Sequence, residues 1–412
     1  MKLPRASVAV ALGSAASLTA QALFSLLMLR AFAPDAVGRF AVIAQVAFFW
    51  MTLALAQSPL RLLADAHVPV AQARRQAVVG TARRLALLLP VAALAMVWGG
   101  APLAASLGWA ALLAVLQAGW YIAQPVALRA ASPLSAAGAR AVPPVCALAV
   151  AGVGASAWPD AGAPLLLAAA ASGYAVGCLW LRGAAEGAAP PATPGSAPAP
   201  AESTQRDSRS PALRLAHTAV DAATGAALLL VWQRVHGAAE AGLLAVLLRL
   251  LGMVPVVVHT AWAQVLLARG QRWHAHPLWA GAAGAGLAGA LGAACAAALS
   301  LGWLPGWQAA LPYVLPITLW QAAACVHAAC SHLPFQSGRA TGFSRAAIAL
   351  AALQWVALCL PAVPAFSLTA AAHVWWLSIA SAAGLLLWTA WIVRACEASA
   401  GHCRAPGGGQ ET

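Results

Sequence analysis

Apolar runs follow one another along almost the whole chain, broken by short stretches of turn residues or arginines. An α-helix rises about 1.5 Å per residue, so roughly 20 apolar residues cross the hydrocarbon of a bilayer. On that measure the runs predict membrane-spanning helices at residues 7–29, 40–58, 85–100, 104–124, 141–157, 163–181, 215–232, 243–260, 278–300, 311–328, 346–360 and 374–393. The fold expected is therefore an all-α polytopic membrane protein with about twelve transmembrane helices. Twelve spans place both termini on one side.

Polar residues inside these runs are few and patterned. In the first span Ser14, Ser17, Gln21 and Ser25 recur at steps of three or four, which puts them on one helical face. In the seventh, Thr218, Asp221 and Gly225 do the same, with Thr224 beside them. The two faces coincide when the chain is laid on itself at an offset of 204 residues, which also brings Arg30 onto Arg234, Gly38 onto Gly242, Ala41-Val42 onto Ala245-Val246, and Gln45 onto Arg249. An echo at fixed distance between two hydrophobic halves is the mark of a transporter built from two repeated bundles. Two pseudo-symmetric six-helix lobes around a central cavity are the architecture this predicts.

Composition agrees: 62% of the 412 residues are hydrophobic and 8% are charged. The net charge of +13 invites a nucleic-acid reading, but basic residues in such a chain orient it by gathering in cytoplasmic loops. With the N-terminus inside, every inner loop is basic. Of the 23 Lys and Arg, only Arg30, Arg39, Arg234 and Arg249 fall elsewhere, all of them in the two echoed stretches. Lys2 and Arg5 precede an apolar core too long for a signal peptide, so the first span is expected to be retained. The Arg-rich segment 60–84 is expected along the inner membrane surface, beside anionic lipid.

Residues 185–213 change to Pro, Ala, Ser and scattered charge, a composition that cannot offset its ordering entropy by burial. They read as a disordered cytoplasmic linker between an N-lobe at 1–184 and a C-lobe at 214–396, with 397–412 as a cytoplasmic tail. The outer connections are short and Trp98, Trp109, Trp158, Trp303 and Trp307 lie near them, as in an interfacial aromatic belt. Eight cysteines without Cys-x-x-Cys spacing read as small packing residues rather than disulfides or metal ligands. His217, His259, His327 and His373 read as isolated packing or interfacial histidines. No Gly-x-x-x-x-Gly-Lys-[Ser/Thr] loop is present, and Lys2 is the sole lysine, so ATP is not the direct driver.

Candidate function gathers in spans one, two, seven and eight. Asp221, the one carboxylate assigned to a span, lies about 9 Å from its inner end and should face water, a partner or a substrate. Arg249 lies at about the same distance from the outer end, where it either lines a cavity or reaches for the headgroups. Arg30 and Arg234 end their helices symmetrically; the helix dipole alone accounts for a cation there, and an anion-receiving role at the cavity mouth is the other reading. The candidate cavity set is Arg249, Asp221, Gln45, Ser17, Gln21, Thr218, Arg30 and Arg234, with no catalytic residue and no metal site.

Pro34-Asp35-Ala36-Val37-Gly38-Arg39-Phe40-Ala41 resembles the P-x-x-x-G-x-x-A turn that opens the second helix of polysaccharide and O-antigen flippases of the MOP superfamily. Ala239 to Arg249 is similar to their A-x-x-G-x-Y-x-x-A-x-R stretch, with Leu244 where Tyr is usual. The resemblance implies alternating access around a central cavity in the bacterial cytoplasmic membrane. It also implies a polyprenyl-diphosphate-linked oligosaccharide as cargo, gripped by cavity arginines with Arg249 first among them. Coupling is expected either to a proton or sodium gradient acting through Asp221 or to downstream consumption of the glycan, and no cofactor is expected. Partners would be the lipid-linked glycan, membrane lipids and glycan polymerase machinery, without nucleic acid. A multidrug or organic-cation antiporter of the same superfamily is the alternative, and a polytopic enzyme of glycan assembly a further one; the excess of Arg over acid and the lack of a large outer loop count against them.

Overall fold

The computed structural model describes residues 5–64, 68–100, 102–129, 133–186, 210–263, 277–337, 339–363 and 366–402. Among the described residues there are helices and no strands, and twelve helices are long and apolar enough to cross a membrane. The elements are α1 (Arg5–Ala31), α2 (Pro34–Leu55), α3 (Ser58–Ala64), α4 (Val70–Trp98), α5 (Leu103–Arg129), α6 (Pro133–Ala157), α7 (Gly162–Glu186), α8 (Ser210–His236) and α9 (Ala238–Val258). Beyond them lie a π-helical turn at His259–Ala263, then α10 (Pro277–Ser300), α11 (Leu311–Cys330), α12 (Leu333–Gln336), α13 (Ala340–Cys359) and α14 (Ala370–His402). Large apolar side chains such as Leu87, Leu94, Leu112, Leu179 and Leu387 are exposed on these helices, as a surface solvated by lipid requires.

Two boundaries differ from expectation for one reason. Residues 34–39 and 238–242 read as turns but are the first turns of α2 and α9. Proline at the first helical position sacrifices no hydrogen bond, and Asp35 and Glu240 favour the positive end of each helix dipole. The true connections are Phe32-Ala33 and the single Gly237, whose φ of +94° a side chain would resist. Asp35 and Glu240 therefore join Asp221 as acidic residues carried on membrane helices. The Arg-rich 60–84 segment also differs: α4 runs unbroken from Val70 through four arginines into the apolar stretch, because nothing in that composition stops a helix. The linker at 187–209, the loop at 264–276 and the tail from 403 lie outside the described residues, although α7 extends to Glu186, α8 begins at Ser210 and α14 reaches His402.

By packing, the chain forms two compact units, Met1–Val246 and Leu247–Thr412, so that α8 and the start of α9 belong with α1–α7. In the first unit α2 is the hub, packed against α4, α5, α7 and α8, while α1 lies on α6. Val42, Val46, Ala47 and Ala54 of α2 are fully or almost fully buried. The C-terminal end of α2 turns through Ala56 and Gln57, both left-handed (φ 42° and 64°). Arg84 of α4 holds this strained turn by donating to the carbonyls of Ala54 and Leu55 and to Ser58 Oγ, which satisfies orphan acceptors at a helix end. In the second unit the latter half of α9 packs Val254 against Ala288 of α10 and Cys325 of α11, and α14 covers α11 and α13.

The two echoed glycines meet within the first unit. A side-chain carbon on Gly38 would run into the carbonyl of Ala238 and stand 2.9 Å from the Gly242 nitrogen. One on Gly242 would run into the carbonyl of Pro34 and stand 3.0 Å from the Gly38 nitrogen. The helices cross backbone on backbone, each glycine opening the space for the other, which is the use small residues serve between membrane helices. Gly38→Ala or Gly242→Ala should lower the melting temperature of the purified protein, by an overpacking cost of about 1–3 kcal/mol or more. Gly108→Ala in α5, where nothing lies within 4 Å of the added carbon, should not. Equal melting of all three variants would contradict the crossing.

Candidate functional site

The polar face of α1 is tied internally and sideways. Gln21 Nε2 donates to Ser17 Oγ at 3.1 Å, and the fully buried Ser25 returns its hydroxyl to the Gln21 carbonyl at 2.9 Å. Arg140 of α6 donates to Ser14 Oγ at 2.7 Å, so that end of the stripe faces α6. Ser17 and Gln21 are half-buried. Arg30 is exposed in the last turn of α1, where its charge complements the helix dipole.

On α8, Thr218 and Asp221 are both exposed, and Gly225 lies one turn beyond Asp221 on the same face. Gln45 of α2 meets this face: its Nε2 stands 2.8 Å from where a Gly225 side chain would begin. The structure thus brings Gln45 to the α8 surface that also bears Asp221. Arg249 is half-buried on α9, in the second unit.

Arg234 is exposed in the last turn of α8 and lines a cavity of about 480 Å³ within the first unit. The second arginine of that cavity is Arg39 of α2; Arg30, which the repeat aligns with Arg234, is not part of the lining. Gln233, Ser106, Trp109, Gly99 and Ala238 contribute to the wall, with Val42, Ile43 and Leu167 on its apolar side, and among the described residues no carboxylate lines it. Gln233 is fixed by donating from Nε2 to the Gly99 carbonyl at 2.8 Å. Arg39 has an ion pair with Asp35 at 3.7 Å, and both side chains are more than half exposed. The sequence marks Arg39 only as an arginine outside the inner loops, and a pocket lined by α2, α5, α7, α8, the start of α9 and the connection after α4 has no signature in a single stretch.

Two other expectations change. Trp307 is 1% exposed and packs inside rather than in a belt, whereas Trp98, Trp158 and Trp303 are exposed. His259 and His327 of the second unit are not isolated. His259 Nδ1 lies 3.1 Å from Ser331 Oγ. His327 Nδ1 lies 3.2 Å from Thr389 Oγ1, with its ring 4.1 Å from that of Trp388. Among the described residues, Cys146, Cys178, Cys295, Cys325, Cys330 and Cys359 are free thiols.

The class these features define is an all-helical polytopic membrane protein. No family model matches the chain, and no curated protein matches it in sequence. Among solved structures, the lipid II flippase MurJ in its inward closed conformation matches with a TM-score of 0.64 at 10% identity, over 94% of this chain and 87% of that one. A multidrug resistance MATE family transporter of the MOP superfamily, inward-facing, matches at 0.49 and 12% identity over 93% and 96%. The MATE multidrug transporter DinF-BH matches at 0.49 and 13%, over 94% of each chain. The fold is therefore that of the flippase MurJ.

The contact between Gln45 and Gly225 generates a double-mutant test. Gly225→Leu should destabilise by about 1–3 kcal/mol through overpacking, and adding Gln45→Ala should recover much of that loss. Strictly additive effects on thermal melting would show that the two residues do not touch.

Proposed function

We propose that the protein is a membrane transporter of the MOP type that translocates a polyprenyl-diphosphate-linked oligosaccharide across the bacterial cytoplasmic membrane by alternating access, for polysaccharide export. The observation that carries this reading is the fold, shared along 94% of the chain with a protein described as a lipid II flippase. Charge supports the cargo class. A diphosphate headgroup cannot cross hydrocarbon unaided, and a cationic, hydrated path lowers the barrier through charge-assisted hydrogen bonds. Four arginines in the echoed stretches outnumber the acidic side chains there, which favours anionic over cationic cargo.

In this reading Arg249 grips the diphosphate, and Ser17, Gln21, Gln45 and Thr218 supply hydrogen bonds to headgroup and sugar. Arg30 and Arg234 stand at the outer mouth. Asp221 couples movement to a proton or sodium gradient, and both termini lie in the cytoplasm. A glycan polymerase acting on the delivered lipid is the expected partner.

Arg249→Ala should reduce translocation of a fluorescent polyprenyl-diphosphate glycan in proteoliposomes by at least about ten-fold while insertion and melting stay normal, the loss expected of one charged hydrogen-bonding partner. Wild-type rates in that variant would remove Arg249 from the path. Asp221→Asn should leave a slow translocation that no longer responds to an imposed ion gradient; a response of normal size would take Asp221 out of the coupling.

A further inference from the structure

We propose that the cavity between Arg39 and Arg234 is a binding site for a phosphate-bearing anion, a station for the cargo diphosphate separate from Arg249. Its place in the transport cycle rests on the function proposed above; its anion binding does not.

The two arginines come from different helices, α2 and α8, and line one cavity without an accompanying carboxylate among the described residues of its wall. The helix dipole gives a structural reason for Arg234, which ends α8. It gives none for Arg39, which sits in the second turn from the N-terminus of α2, at the end of a helix that already carries positive potential. Arg39 has Asp35 within 3.7 Å, but both side chains are solvated, and an exposed pair of this kind contributes little. A phosphate offering two oxygens to each planar guanidinium forms shorter, stronger, bidentate bonds, so it displaces Asp35 at small cost. Among the described residues no ion pair is made by Arg234.

The rest of the wall suits such an anion with a sugar attached. The volume of about 480 Å³ is that of a small-ligand site. Gln233 is already held in place by Gly99, so little ordering entropy is lost on binding. Trp109 offers a flat apolar face of the kind that packs against a pyranose ring, with Ser106 beside it as a hydroxyl donor. The cavity adjoins the glycine crossing directly: Arg39 follows Gly38 in sequence, and Ala238, whose carbonyl faces Gly38, is in the wall. Movement of α2 against the start of α9 therefore changes the spacing of the site's own cations.

The test is equilibrium binding to the purified full-length protein in detergent, with two probes, inorganic pyrophosphate and farnesyl diphosphate. The wild type should bind at least one. Binding of both identifies the free anion as sufficient; binding of farnesyl diphosphate alone identifies a lipid-borne headgroup as the ligand. Arg39→Ala and Arg234→Ala should each weaken binding roughly ten- to hundred-fold, as loss of a charged hydrogen-bond partner does. The Arg39→Lys/Arg234→Lys variant keeps the charge and gives a folded comparison of intermediate affinity. No binding by the wild type, or unchanged affinity in the variants with unchanged melting, overturns the proposal. Binding without translocation in proteoliposomes would leave this site standing and remove the transporter reading; translocation without binding would do the reverse.

Discussion

In the first compact unit the place of α8 beside α2 turns on the contact of two backbones at Gly38 and Gly242. No side chain intervenes where α2 crosses α9, so the carbonyls of Pro34 and Ala238 approach the opposite glycine directly. In a bilayer, apolar surface gives helices no preference for one another over lipid; close packing and polar contacts do. The crossing therefore fixes where α9 starts, and through the single residue Gly237 it fixes where α8 ends. With that end set, α8 lies along α2, Gln45 reaches Gly225, and Gln233 and Arg234 are delivered to the cavity that Arg39 shares. Helix α9 then leaves this unit and continues into the second.

Much of this is legible in the sequence, and the limits have physical causes. Spans are visible because twenty apolar residues have one reason to exist, and all twelve lie near the positions that hydropathy predicts. The glycine pair is visible as an echo, since Gly38 and Gly242 stand out among alanines and leucines that repeat by chance. What the echo does not say is that the two copies touch. Nor does it mark the cavity of the first unit, whose two arginines, Arg39 and Arg234, are not equivalent by offset. Equivalence in a repeat gives similar local structure; a shared pocket depends on tertiary neighbours.

Similar reasoning explains the helix starts and the polar stripe. Pro34 and the turn-like residues after it read as a connection because proline usually ends structure, yet at the first position of a helix it is at home. Helical spacing puts Ser14 with Ser17 and Gln21, and the spacing is real, but a stripe on a helix is wide enough to meet two neighbours. Ser14 meets Arg140 of α6. Trp307, assigned to an interfacial belt by its place near a short connection, is buried beside the turn at 308–310. Composition shows that a tryptophan is near a boundary, and only packing shows which side of the surface it occupies.

If a transporter of this fold opens and closes where α2 crosses α9, the distance across that crossing measures the movement most directly. Spin labels at Asp35→Cys and Ala239→Cys, on a background with the native cysteines replaced, report it by pulsed electron resonance in nanodiscs. Two populations are predicted, a short one with the glycines in contact and a longer one, their ratio shifting when a prenyl diphosphate is added. A single short distance under every condition, in protein that still translocates, would contradict it.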